Sequence, residues 1–199
     1  MTRLTISVLL FAAGVAGAQD IPLYEILKPG ETWQPYSDGM PARPTGDYSV
    51  DPKTHTITTD RGPDDRLKLP LKEPTACAVV HKRSTLLVAD AGDRYVWAFR
   101  IENDGTIGPG DRYVRLRVAG DDRRRTVTPP EAYRADPSAM TMDAADRTYV
   151  ATSLGIQVFD PTGRLCGVFT APPGRVGELA FVNDRLFARV GDKVFVRKM

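Results

Sequence analysis

Side chains able to move a proton or attack a carbon are few in this chain, and their spacing restricts what they can do. The two histidines, His55 and His81, fall in turn positions between apolar runs. No Gly-x-Ser-x-Gly sequence offers a nucleophile elbow, and nothing in the spacing pairs either imidazole with a nucleophile. Both therefore read as surface turn residues. Asp60 and Asp90 end two matching apolar runs, where a carboxylate ordinarily caps the following turn. Cys77 and Cys166 allow a single pairing, yet each lies in an apolar run where cysteine also serves as a small core residue. The sequence leaves a bridge and two free thiols both open. Neither cysteine has the Cys-x-x-Cys or Cys/His spacing that zinc or thiol redox chemistry needs. The run Asp121-Asp122-Arg123-Arg124-Arg125 reads as a solvated loop rather than a ligand-binding arm.

The elements that hold these residues follow from composition and punctuation. With 199 residues the chain has the length of one domain, and 42% apolar with 26% charged residues is a globular balance. Lys plus Arg number 27 against 25 Asp plus Glu, so a formal net charge of +2 provides no field to gather nucleic acid. Sixteen prolines and 17 glycines, most of them between short apolar runs, break the chain too often for long helices. Met1-Thr2-Arg3 is a basic start, Leu4 to Gly14 an uncharged apolar run, and Ala16-Gly17-Ala18 a small-x-small cleavage site. This order predicts a signal peptide over 1–18, export to the periplasm or the exterior, and a mature chain of 19–199 forming one domain. No other uncharged stretch approaches the ~20 residues of a membrane span.

Internal repeats decide the fold class. Pro44-Thr45-Gly46 leads through Val50 to Ile57-Thr58-Thr59-Asp60, and Pro74-Thr75-Ala76 leads at the same spacing through Val80 to Leu87-Val88-Ala89-Asp90. A third copy runs from Pro137-Ser138-Ala139 to Tyr149-Val150-Ala151-Thr152. A fourth, without the proline, runs from Glu178-Leu179-Ala180-Phe181 to Leu186-Phe187-Ala188-Arg189. Third strands follow at Tyr95 to Phe99 and Ile156 to Phe159. Fourth strands follow the turns Asn103-Asp104-Gly105 and Asp160-Pro161-Thr162-Gly163. The repeating unit is a four-stranded antiparallel meander, apolar on both faces, which radial stacking of like sheets covers. An all-β propeller of about four units is the reading, with a β-sandwich as the alternative. The last unit lacks room for a fourth strand, and Thr32-Trp33-Gln34-Pro35-Tyr36 is placed to supply it beside Val194-Phe195-Val196. Four units stand at the lower limit for ring closure, about four to eight blades. The expectation is either a homodimer pairing two open arcs, with faces such as Tyr95 to Phe99 partly open, or a compact four-bladed monomer.

The stretch Pro137 to Asp160, with Tyr149-Val150-Ala151-Thr152 and Gly155-Ile156-Gln157-Val158-Phe159-Asp160, resembles the gluconolactonase, regucalcin (senescence marker protein) and luciferin-regenerating enzyme family. Leu86-Leu87-Val88-Ala89-Asp90 with Val96-Trp97-Ala98-Phe99 resembles it as well. The resemblance implies a propeller, six-bladed in that family, with lactone hydrolysis supported by one divalent cation at the end of a central tunnel. The family's Glu, Asn and Asp ligands fall here on Thr45, Thr75 and Ser138, all short hydroxyl residues. A calcium-type ion needs six or more oxygens with carboxylates among them, which three hydroxyls do not provide. The family's general base falls on Ser138, an alcohol that takes up no proton near neutral pH. Asp47 and Asp136 each lie two residues from a ligand position, and the reading does not place either in the metal site. The close succession of Pro44 and Pro74 leaves little room for the substrate-contacting blades. The resemblance therefore implies an exported, non-catalytic binding module for an unknown small molecule or protein, with no cofactor. The rival reading is a sugar-lactone hydrolase whose rearranged site holds calcium or zinc. A structural piece of a larger assembly is the third.

Overall fold

The computed structural model of this chain describes residues 21–42, 48–51, 53–54, 56–59, 62–63, 70–80, 84–120 and 134–199. Asx turns decide where most hairpins reverse. Oδ1 of Asp104 accepts the backbone N–H of Thr106 at 2.9 Å and its hydroxyl at 2.6 Å. Oδ1 of Asp160 does the same for Thr162 and also accepts the N–H of Arg164 at 3.0 Å. In the last repeat the turn is Asn183-Asp184, both residues left-handed at φ 48° and 57°, the geometry that matches strand twist in a two-residue hairpin.

Between these turns the chain forms one helical turn and fifteen strands among the described residues. They are α1 (Leu23–Ile26), β1 (Gln34–Tyr36), β2 (Tyr48–Asp51), β3 (Thr56–Thr59), β4 (Gly62–Pro63), β5 (Pro74–Val80), β6 (Thr85–Asp90), β7 (Tyr95–Ile101) and β8 (Ile107–Arg115). Then follow β9 (Ala139–Met142), β10 (Thr148–Thr152), β11 (Gly155–Phe159), β12 (Leu165–Phe169), β13 (Val176–Val182), β14 (Arg185–Val190) and β15 (Lys193–Lys198). Every pairing is antiparallel. They make sheet 1 (β2-β3-β4), sheet 2 (β5-β6-β7-β8), sheet 3 (β9-β10-β11-β12) and sheet 4 (β13-β14-β15-β1). The expected four-stranded unit is met in sheets 2 to 4. Sheet 1 departs from it, with three strands among the described residues and only two residues in the last.

The inner strands β2, β5, β9 and β13 stand side by side in that order. Alternation along each strand then feeds two cores at once. Leu86 and Val88 of β6 join Ile57 and Phe99 between sheets 1 and 2, while Leu87 and Ala89 join Val96, Met140 and Val150 between sheets 2 and 3. Between sheets 3 and 4 lie Tyr149, Ile156, Val158, Leu179, Leu186 and Ala188. This radial stacking of meanders is a β-propeller architecture. Among the described residues three cores join four sheets, and none joins sheet 4 back to sheet 1.

The N-terminal strand behaves as the sequence predicts. Gln34, Pro35 and Tyr36 pair with Val196, Phe195 and Val194, so the first strand completes the last sheet. The segment before it has no counterpart in the repeat pattern. Ile26 of α1 is 4% exposed in the core between sheets 3 and 4, with Leu23, Leu27 and Trp33 against it. Trp33 stacks on Phe169 at 6.3 Å and donates its indole N–H to the Thr170 carbonyl at 2.8 Å. Gly167 of β12 is what lets α1 approach, since a Cβ there would lie 2.8 Å from Leu23. The face Tyr95 to Phe99 is less open than expected: Val96 and Phe99 are buried, and Tyr95, Trp97 and Ala98 are half-buried. No helix among the described residues is long and apolar enough to cross a membrane.

Candidate functional site

The inner strands of sheets 2 to 4 all begin at one end of the arc, and the family-type ligand positions fall there. Thr75, second residue of β5, is half-buried and donates its hydroxyl to the Ala89 carbonyl at 3.4 Å. Ser138, just before β9, is half-buried and donates its N–H to the Ala151 carbonyl at 2.9 Å. Thr45 and Asp47 lie outside the described residues, as do His55, His81, Asp60 and the run 121–125.

Register extends this set to a residue that sequence reasoning missed. Ala89 pairs with Ala76, Ala151 with Ala139, and Ala188 with Leu179. The residues just before those partners are Thr75, Ser138 and Glu178, so Glu178 stands at the equivalent position of sheet 4. The signal was present in the sequence, because the fourth repeat aligns on its alanine even without the proline.

Three of the described carboxylates near this level carry an arginine. Glu178 pairs with Arg189 of β14 at 2.5 Å. Asp136, two residues before Ser138, pairs with Arg175, which immediately precedes β13. Glu73, immediately before β5, pairs with Arg134, which also donates to the Ala91 carbonyl at 3.2 Å. Asp136 adopts φ 48°, a left-handed backbone that aspartate tolerates better than most residues. Among the described residues no three His, Cys, Asp or Glu side chains gather as an ion would require. Two hydroxyls and three arginine-paired carboxylates do not fit a divalent cation that takes six to eight oxygens.

The remaining ionisable groups are occupied by structure. Asp90 is fully buried and accepts the N–H groups of Lys72 (2.9 Å), Glu73 (2.7 Å) and Gly92 (2.9 Å), which makes it the turn cap its position implied. Asp143 closes the β9–β10 turn, accepting from the Arg147 guanidinium at 2.5 Å and the Tyr149 hydroxyl at 2.9 Å. Burial and the adjacent Asp143 charge push the Tyr149 phenol far above its ordinary range, which removes it from proton transfer near neutral pH. Cys77 and Cys166 are half-buried, and no disulfide joins them. Burial, with the Asp160 charge beside it, raises the Cys166 thiol above its usual value and keeps it in the poorly nucleophilic form.

No family model matches this sequence, and no curated protein matches it either. Among solved structures, the fold is similar to a gluconolactonase of Xanthomonas campestris described as important in glucose secondary metabolic pathways. That match has a TM-score of 0.52 and 21% identity, over 89% of this chain and 51% of that one. A luciferin-regenerating enzyme gives a TM-score of 0.48 at 14% identity, over 76% of this chain and 50% of that one. This chain thus spans about half the length of these proteins. What the likeness to the gluconolactonase shows is the fold: a β-propeller arc of the gluconolactonase type.

Proposed function

We propose that the chain is an exported, non-catalytic binding or interaction module built on a gluconolactonase-like arc, its signal peptide removed near Ala18. One observation carries the reading. At the strand-start end, Thr75 and Ser138 put alcohols where the resemblance calls for metal-binding and proton-accepting groups, and Glu73, Asp136 and Glu178 are each held by an arginine while Asp90 caps backbone N–H groups. An alcohol supplies neither the charge for a divalent cation nor a base near neutral pH. The chain's ligand is a small molecule or a protein, and a second copy of the chain pairs with the open arc.

The test is hydrolysis of gluconolactone and related sugar lactones by the purified mature chain. The rate should equal that of buffer, with or without calcium or zinc. Activity that EDTA abolishes and calcium restores would replace this reading with that of a hydrolase whose metal site is rearranged.

A further inference from the structure

The arginine pairs at the strand-start end are arranged as a series. Each guanidinium lies in the segment that leads into one inner strand and reaches back to a carboxylate in the segment leading into the preceding inner strand. Arg134, ahead of β9, reaches Glu73, ahead of β5; Arg175, ahead of β13, reaches Asp136, ahead of β9. The two partners are separated by 61 and 39 positions in the chain, so each pair joins two sheets and not two neighbours on one strand.

The tripeptide 134–136 is the junction of this series. Arg134 points its charge to sheet 2, and two residues later Asp136 receives the charge of sheet 4. Ala135 between them is 1% exposed. Its carbonyl accepts the Ser153 N–H at 2.9 Å and the Ser153 hydroxyl at 3.2 Å, which ties the junction to the end of β10. The left-handed backbone of Asp136 turns the chain at this point.

We propose that guanidinium groups fasten this end of the arc in place of a metal ion: Arg134 clasps sheet 3 to sheet 2, and Arg175 clasps sheet 4 to sheet 3. An ion bound by residues of several sheets would lock them together at one point. Two arginines distribute the same task over two boundaries and use up carboxylates that a cation would need. The proposal rests on the reading that the cation site is lost, and it makes the geometry of this end depend on ionic strength rather than on metal supply.

Double-mutant cycles test it. Arg175→Met with Asp136→Asn, and Arg134→Met with Glu73→Gln, are melted at low and at high salt. These pairs are about half exposed, so each single variant should lower Tm by about 1–3 °C at low salt. Each double variant should lose no more than its worse single variant, and the losses should shrink in high salt. Additive losses that salt leaves unchanged would overturn the clasps. The lactone assay judges the functional reading independently, because it does not depend on the outcome of the cycles.

Discussion

Aspartates are the most numerous acids at the turns of this fold, and most are consumed where they stand. Asp160 is the clearest case. Burial works against its charge, but the Thr162 hydroxyl and the N–H groups of Arg164 and Thr162 outweigh it and hold the carboxyl below its ordinary range. A carboxyl depressed in the fold adds stability above its unfolded pKa and loses it as pH falls through the folded value. Asp160→Asn keeps an oxygen acceptor and removes only the charge. It should cost about 1 kcal/mol near neutral pH, and the gap between variant and parent should close below about pH 4. Thermal melts across pH read this directly, and a gap that stays constant into acid would mean the charge is irrelevant. The turn role of Asp90 was legible from its place at the end of an apolar run. The pairs Arg134–Glu73 and Arg175–Asp136 were not, because partners so far apart in the chain meet only when sheets stack, and no local spacing encodes that. Glu178 lies between these cases, readable only once the last three repeats are aligned on Ala89, Ala151 and Ala188.

At the level of elements, glycine marks where strands come closest. Gly110 of β8 lies beneath the Phe99 ring of β7, and a Cβ there would stand 2.1 Å from Cδ1 and 2.8 Å from the Ala98 carbonyl oxygen. Phe99 is 1% exposed in the core shared with sheet 1 and has no room to retreat. Gly110→Ala should therefore cost about 1–3 kcal/mol, measured by denaturant unfolding, through overpacking. A neutral result would show that β8 frays away from β7 at no cost. Strand order and hairpins were legible here because turn residues recur with the repeat, and even β1 was, since the last unit lacked a strand. The single turn α1 was not: four residues with no side-chain cap leave no periodic signal, and only packing against Gly167 and the core between sheets 3 and 4 stabilises it. The shortness of sheet 1 was legible, since Pro74 follows Pro44 too closely for a full unit.

For the whole molecule, the count of cores against sheets is what matters. Among the described residues, four sheets joined by three cores make an arc, and the two end sheets differ in character. Sheet 1 has a hydroxyl pair, Ser49 with Thr58 at 2.6 Å, on the face opposite Val50 and Ile57. Sheet 4 turns Phe187 away from its core, with the Tyr36 ring edge-on at 5.1 Å. Phe187 is itself covered, at 4% exposure, so the proposed pairing of two copies rests on the unjoined ends of the arc rather than on an exposed apolar face. Light scattering at micromolar concentration should return twice the mass of the mature chain. A mass of one chain with a single cooperative melt would remove the homodimer.

The proposed loss of the cation site is tested most directly by thermal melting of the mature chain with calcium, zinc or EDTA. A ligand that binds only the folded state at a hundredfold its Kd adds about 2.7 kcal/mol, or roughly 5–10 °C in a chain of this size. The same Tm is expected in all three conditions. A rise of several degrees with either cation, reversed by EDTA, would contradict it.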